Sequence, residues 1–121
     1  MKLHMKILYH NNKTERICND FSKVTKELGK DVAKKLFDLL NAIESFINLY
    51  DLYVLPQYRL HSLSGNRKNQ YSFVIHKGSK WRLIIYPLDK DGNILSSGSN
   101  EKEMLIKAVI VEILEVSEHY D

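Results

Sequence analysis

Acidic residues are missing from one long stretch of this 121-residue chain, between Leu52 and Leu88. The stretch carries six of the Lys and Arg residues, although the net charge of the whole chain is only +3. Cations offset phosphate charge and aromatic rings stack on unpaired bases, so this composition is typical of a surface that binds single-stranded nucleic acid. Strands are rich in aromatic residues in any case, so composition alone leaves both interpretations open. The residues concerned are Arg59, Arg67, Lys68, Lys77, Lys80 and Arg82, with Tyr53, Tyr58, Tyr71, Phe73, Trp81 and Tyr86.

Cysteine is nearly absent, since Cys18 is the only one. One thiol provides neither a disulfide framework nor a zinc cluster, so we interpret Cys18 as a small buried side chain on a helix. No HExxH, CxxC, phosphate-binding glycine loop or paired-carboxylate motif occurs, which argues against a metalloprotease, a zinc protein, an NTPase and a glycosidase. We therefore expect no metal and no cofactor.

Long apolar runs are also missing, because no segment approaches the roughly 18 residues that span a bilayer. The first ten residues, MKLHMKILYH, lack the apolar core and cleavage site of a signal peptide, so we expect a cytoplasmic protein. The length, with 44% hydrophobic and 27% charged residues, predicts a single globular domain over residues 1–121.

The first half of the chain has helical periodicity after one short strand. Residues 1–10 alternate as a strand does, and Asn12 with Glu15 forms a possible capping box for a helix that Gly29 would end. Asp31 can cap a second helix, with Lys30, Lys34 and Lys35 near its start. These lysines are most simply a solvated face, and contact with a polyanion is the alternative. The apolar stripe predicted for that second helix consists of Val32, Leu36, Leu39, Leu40, Ile43 and Ile47.

The second half predicts strands at 58–63, 70–77 and 80–88, a polar mobile loop at 89–103, and a last, long strand at 105–116. Together these elements predict an α+β fold. In it, an N-terminal strand and a two-helix hairpin pack on one face of a mainly antiparallel sheet of four to five strands.

Strand alternation gives some of these residues a common direction. Trp81, Leu83 and Ile85 would face the helices, whereas Arg82 and Tyr86 would face the other side, together with Arg59 and His61 of the preceding run. An imidazole beside guanidinium groups provides what RNA cleavage by transesterification needs: a base for the ribose 2′-OH and cations for the phosphorane charge. The remaining histidines, His4, His10 and His76, are isolated and are interpreted as structural or surface residues.

The chain also resembles HigB-like toxins of the RelE/ParE superfamily, over about half its length. The similarity lies in RLHSLSGNRKNQYSF from Arg59, in KWRLIIY from Lys80, and in the last strand with its ending EHY. The pattern that they resemble is a basic turn, a Trp-Arg strand and a tail that bears His and Tyr. The preceding helical hairpin fits the RelE-like architecture.

The resemblance implies a type II toxin that cuts messenger RNA in the ribosome without metal, and a cognate antitoxin, often of the helix-turn-helix HigA-like kind. It implies that His61 is a catalytic histidine, that Arg82 stabilises the scissile phosphate, and that the acid is Tyr120 or His119. Two departures stand out: Ser64 replaces a lysine, and the tail reads His-Tyr-Asp instead of Asp-Tyr-His. The residues assigned to RNA or ribosome contact are Arg59, Arg67, Lys68, Lys80 and Tyr86.

Two alternatives stay open. ParE-like relatives poison DNA gyrase and need no histidine on the sheet, and a toxin that has lost activity would act as an interaction module. The pairing of His61 with Arg82 and a His/Tyr tail favours the nuclease.

Overall fold

The strands of this protein form one mixed sheet of five strands, in the order β1-β5-β4-β3-β2. The computed structural model describes residues 4–96, 98 and 100–118. The strands are β1 (Lys6–Tyr9), β2 (His61–Ser62), β3 (Tyr71–Val74), β4 (Trp81–Leu88) and β5 (Ile110–Glu118). The helices are α1 (Asn12–Asn19), α2 (Phe21–Leu28), α3 (Lys30–Ser45), α4 (Leu49–Tyr53) and α5 (Glu101–Lys107), with 3₁₀ turns at Pro56–Tyr58 and Gly65–Arg67.

The sheet is mainly antiparallel, because only β1 and β5 pair in parallel. Its helix-facing residues, such as Phe73, Leu83 and Ile113, join the helices in one hydrophobic cluster. The predicted α+β class, with helices packed on one face of this sheet, is therefore confirmed. Among the described residues, no helix has the length and apolar character needed to cross a membrane.

Helix α3 follows its predicted stripe closely. Residues at spacings of three and four are buried, as a helix with one core-facing side requires. Gly29 ends α2 and precedes α3 with φ of 92°, a left-handed backbone conformation that glycine adopts without a Cβ penalty. Two details of the prediction are wrong: Gly29 and not Asp31 is the N-cap, and Ile47 lies beyond the helix with 51% exposure.

The predicted first helix is really two. Asn11, not Asn12, caps α1, since its Oδ1 accepts a hydrogen bond from the Thr14 backbone N–H at 2.8 Å. Asp20 then interrupts the helix in an extended conformation and caps α2 by accepting from the Lys23 N–H at 3.0 Å. A side chain that caps a new helix competes with continuing the old one, which explains the break.

The predicted loop and last strand are partly wrong. Asn100 caps α5 by accepting a hydrogen bond from the Glu103 N–H at 3.0 Å, and this helix buries Met104 and Leu105. The strand therefore begins at Ile110 instead of Leu105, although it is the longest strand and lies inside the sheet as predicted.

Candidate nucleic-acid interface

The sheet face opposite the helices, here called the open face, carries the predicted site. The strand register places four residues side by side across it: His61 on β2, Ser72 on β3, Ile84 on β4 and Glu115 on β5. Ser72 and Ile84 are fully buried, although Ile84 does not belong to the hydrophobic cluster that the helices share. The centre of the open face is therefore not a bare surface, which differs from the expected uncovered sheet.

His61 is held through one ring nitrogen. Its Nδ1 lies 2.7 Å from the carbonyl oxygen of Arg59. Because a carbonyl only accepts, Nδ1 carries the hydrogen, and Nε2 is the ring atom that can take up a proton. Nε2 is shielded from solvent, so a substrate can reach it only when neighbouring atoms move.

Arg59 has an unusual backbone conformation. Its φ of 43° lies in the left-handed region, which a residue with a Cβ enters at a cost. This conformation follows the 3₁₀ turn at Pro56–Tyr58 and shortens the predicted strand over 58–63 to His61–Ser62. The turned backbone presents the carbonyl oxygen that holds His61.

The side chains of Arg59 and Arg82 line a common cavity of about 380 Å³, here called the cation cavity. Arg82 is half-buried, and its Nη1 donates to the carbonyl oxygens of Ser79 at 2.8 Å and Trp81 at 3.0 Å. Lys77 adds a third cation, and no carboxylate of the described residues lines the cavity. Its lining consists of Pro56, Gln57, Arg59, Val74, Lys77, Gly78 and Arg82.

His61 and Arg82 share the open face but are not adjacent. Arg82 pairs with Val74, which lies two residues further along β3 than the Ser72 that pairs with His61. With strands ~4.8 Å apart and ~3.3 Å per residue, their Cα atoms are separated by roughly 12 Å. Arg59 connects the two, because its carbonyl holds the imidazole while its side chain lines the cavity with Arg82.

Arg67 has a carboxylate partner on the same open face, on the distant strand β5. Its Nη2 lies 3.3 Å from Glu115 Oε1, and its Nη1 donates to Gln70 at 3.0 Å. Since Glu115 lies at the far end of the row from His61, the Arg67 side chain spans the centre of the open face. The charge predicted for phosphate contact is met here by a carboxylate.

The other predicted contact residues are spread out. Lys68 and Lys80 are exposed, and Tyr86 is half-buried opposite Glu112 of β5. His119 and Tyr120, the predicted acid candidates, lie outside the described residues.

Sequence reasoning missed Lys77 and Gln57 as lining residues of the cation cavity. Lys77 precedes Gly78, whose φ of 89° marks the tight turn between β3 and β4. A lysine beside a glycine turn in the acid-free stretch was the available signal. Glu115 gave no signal, because its contact with Arg67 joins residues 48 positions apart.

Two buried groups on the helix side have raised pKa values. Burial raises the pKa of the Cys18 thiol to about 12, which keeps it neutral. The prediction that Cys18 is a small buried side chain on a helix is confirmed. Burial, and then a hydrogen bond donated to Glu101, also raises the pKa of Tyr71. Neither group belongs to the open face.

Comparison with known proteins gives little beyond the fold. No protein-family model matches the sequence, and no curated protein matches it. Among solved structures, the chain is similar to a YoeB/ParE toxin from Agrobacterium tumefaciens, with 14% sequence identity and a TM-score of 0.49. The match covers 96% of this chain and 100% of that toxin.

Proposed function

We propose that this protein is a type II toxin of the RelE/ParE kind that cleaves messenger RNA on the ribosome and so inhibits translation. The observation that carries the proposal is the position of Arg59. Its carbonyl oxygen fixes the His61 ring, and its side chain joins Arg82 at the cation cavity. A proton acceptor and a cationic pocket are thus linked through one residue, Arg59.

In the proposed reaction, His61 Nε2 takes the proton of the ribose 2′-OH as the 2′-oxygen attacks phosphorus. The bond from phosphorus to the 5′-oxygen breaks, which leaves a 2′,3′-cyclic phosphate and a 5′-hydroxyl. Arg82 and Arg59 stabilise the negative charge of the phosphorane, and Tyr120 or His119 protonates the leaving oxygen. The nucleophile belongs to the substrate, so this step uses no protein nucleophile.

The hydrogen bond on His61 favours the nuclease over a gyrase poison. A protein that only binds gyrase has no use for an imidazole with a defined tautomer on the open face. The Nδ1 contact of 2.7 Å provides that tautomer and directs basicity to Nε2.

The proposal includes a cognate antitoxin, of the helix-turn-helix HigA-like kind that the sequence resemblance implies. A protein that cuts cellular transcripts has to be neutralised in the cell that makes it. Co-expression with the neighbouring reading frame should restore growth and give a stable complex on size-exclusion chromatography.

The test is induced expression in a bacterial host, followed by primer extension on total RNA. We expect growth arrest and discrete cuts within translated codons. DNA breaks with intact transcripts would instead assign the chain to gyrase poisoning. Normal growth with intact RNA and DNA would indicate an interaction module without nuclease activity.

A further inference from the structure

A second groove runs along the outer edge of β3. Strand β2 pairs only with Tyr71 and Ser72, so the remainder of β3 lies at the sheet edge, beside helix α3. Here a depression of about 460 Å³, the β3-edge groove, opens between the strand and the helix. Its lining consists of Lys35, Asp38, Leu39, Gln57, Tyr58, Val74, Ile75, His76 and Lys77.

The β3-edge groove is continuous with the cation cavity. Gln57, Val74 and Lys77 line both of them, so Lys77 stands at the junction. Lys35 from helix α3 extends the positive surface beyond it, and His76, which follows β3, lines the groove beside it. Asp38 is the one carboxylate among the lining residues.

The two lysines of the β3-edge groove, Lys35 and Lys77, are accessible to a ligand. Lys35 and Lys77 are exposed, and no ion pair within the described part of the chain involves either of them. Arg67 on the open face is different, because Glu115 already offsets its charge. The β3-edge groove therefore presents cations that an incoming phosphate can use.

We propose that the β3-edge groove is a binding subsite for single-stranded RNA next to the bond that is cut, with Lys77 and Lys35 holding backbone phosphates. The inference rests on the proposed function, because it extends the path of the same substrate. It assigns a role to residues from two distant parts of the chain: the lysine-bearing face of helix α3, which sequence alone interprets as solvated, and the turn between β3 and β4.

The chemistry of the groove suits RNA better than an acidic peptide. Tyr58 is half-buried with its ring edge-on to Phe73, at 6.4 Å between centroids and 90° between planes, and His76 adds a second ring. Aromatic rings stack on unpaired bases, and the exposed Gln57 amide can pair with base edges. An acidic peptide would use the lysines but would have no need of these rings.

The experiment measures binding of 2′-O-methyl RNA to the full chain by fluorescence anisotropy. This RNA lacks the attacking hydroxyl and cannot be cleaved. An oligonucleotide of about four residues can occupy only the cation cavity, whereas one of about twelve residues can also reach the β3-edge groove. The test variants are Lys35→Gln and Lys77→Gln. Lys35→Arg is the conservative change, and Lys26→Gln, at an exposed position of helix α2, is the control.

We expect Lys35→Gln to weaken binding of the long RNA by about threefold to tenfold and to reduce the slope of log K against log salt by about 0.7. The same variant should bind the short RNA like the wild type. Lys77→Gln should weaken binding of the long RNA at least as much, since Lys77 lines both depressions. Lys35→Arg and Lys26→Gln should leave binding of the long RNA unchanged.

Wild-type affinity of both glutamine variants for the long RNA would overturn the inference, and so would an effect seen only with poly-glutamate as the probe. Primer extension with the wild type separates this failure from failure of the proposed function. If the wild type cuts transcripts while the variants bind as it does, only the subsite is wrong. If the wild type neither cuts transcripts nor binds RNA, the proposed function fails and the subsite fails with it.

Discussion

The two halves of the open face differ in their acidic residues. On the β2–β3 side, Arg59, Lys77 and Arg82 surround a cavity with no acidic lining residue among those described. On the β5 side, Glu115 pairs with Arg67 at 3.3 Å, and Glu112 lies 3.3 Å from the ring of His10. Cations that look equivalent in the sequence thus differ in position, since Arg67 reaches Glu115 of β5 whereas Arg59, Lys77 and Arg82 line one cavity.

This difference indicates where a polyanion can bind. A phosphate that approached Arg67 would have to compete with Glu115, whereas no carboxylate of the described residues lines the cation cavity. The acid-free stretch of sequence therefore does not form one continuous cationic surface, because the Arg67 side chain reaches across the sheet to Glu115 of β5.

Removing a cation from the cavity should have the largest effect. We expect Arg82→Gln to reduce the rate of RNA cleavage about 100-fold to 1000-fold, as loss of one preorganised charge-stabilising group does. Primer extension of a translated message in a purified translation system measures it. Arg16→Gln, at an exposed position of helix α1, is the matched control. Comparison of the thermal unfolding midpoints of the two variants excludes a folding defect. Cleavage at the wild-type rate would remove Arg82 from the site.

The backbone strain at Arg59 can be separated from its charge. Arg59→Gly and Arg59→Ala both remove the guanidinium, but only glycine relieves the left-handed φ of 43°. We expect the glycine variant to have a free energy of unfolding about 1 kcal/mol higher than the alanine variant, measured by urea titration. Both variants should bind RNA equally weakly. A glycine variant less stable than the alanine variant would mean that the strain is absent.

The smallest effect is expected on the acidic half. Glu115→Gln releases Arg67, so the salt slope of single-stranded RNA binding should become steeper by about 0.7. The free energy of unfolding should fall by less than about 0.5 kcal/mol, because both partners are about one-third exposed or more. Fluorescence anisotropy at several salt concentrations measures the slope, with Glu27→Gln on α2 as the control. An unchanged slope would mean that Arg67 does not reach the RNA.

Much of the fold follows from periodicity in the sequence. Helix α3 and strand β4 have long apolar patterns of period 3.6 and 2, and both were predicted within a few residues. The errors lie where one polar side chain decides the outcome. Asp20 divides the first helix and Asn100 begins α5, and each does so through a single hydrogen bond to a backbone N–H.

The candidate site was predictable in part, because alternation along β4 places Arg82 on the face away from the helices. The carbonyl of Arg59 could not be predicted, since its contact with His61 depends on a left-handed residue that no pattern demands. The ion pair of Arg67 could not be predicted for a similar reason: its partner Glu115 belongs to another strand, and only the sheet register brings them together.

The most direct test of the central claim is cleavage of a translated message by His61→Ala, mapped by primer extension in a purified translation system. His10→Ala, which removes an exposed imidazole from the acidic half, is the matched control. If His61 is the base, its variant should lose about 100-fold or more of the cleavage rate while His10→Ala cuts like the wild type. Equal cutting by His61→Ala and the wild type, with both folded, would contradict the assignment of the site.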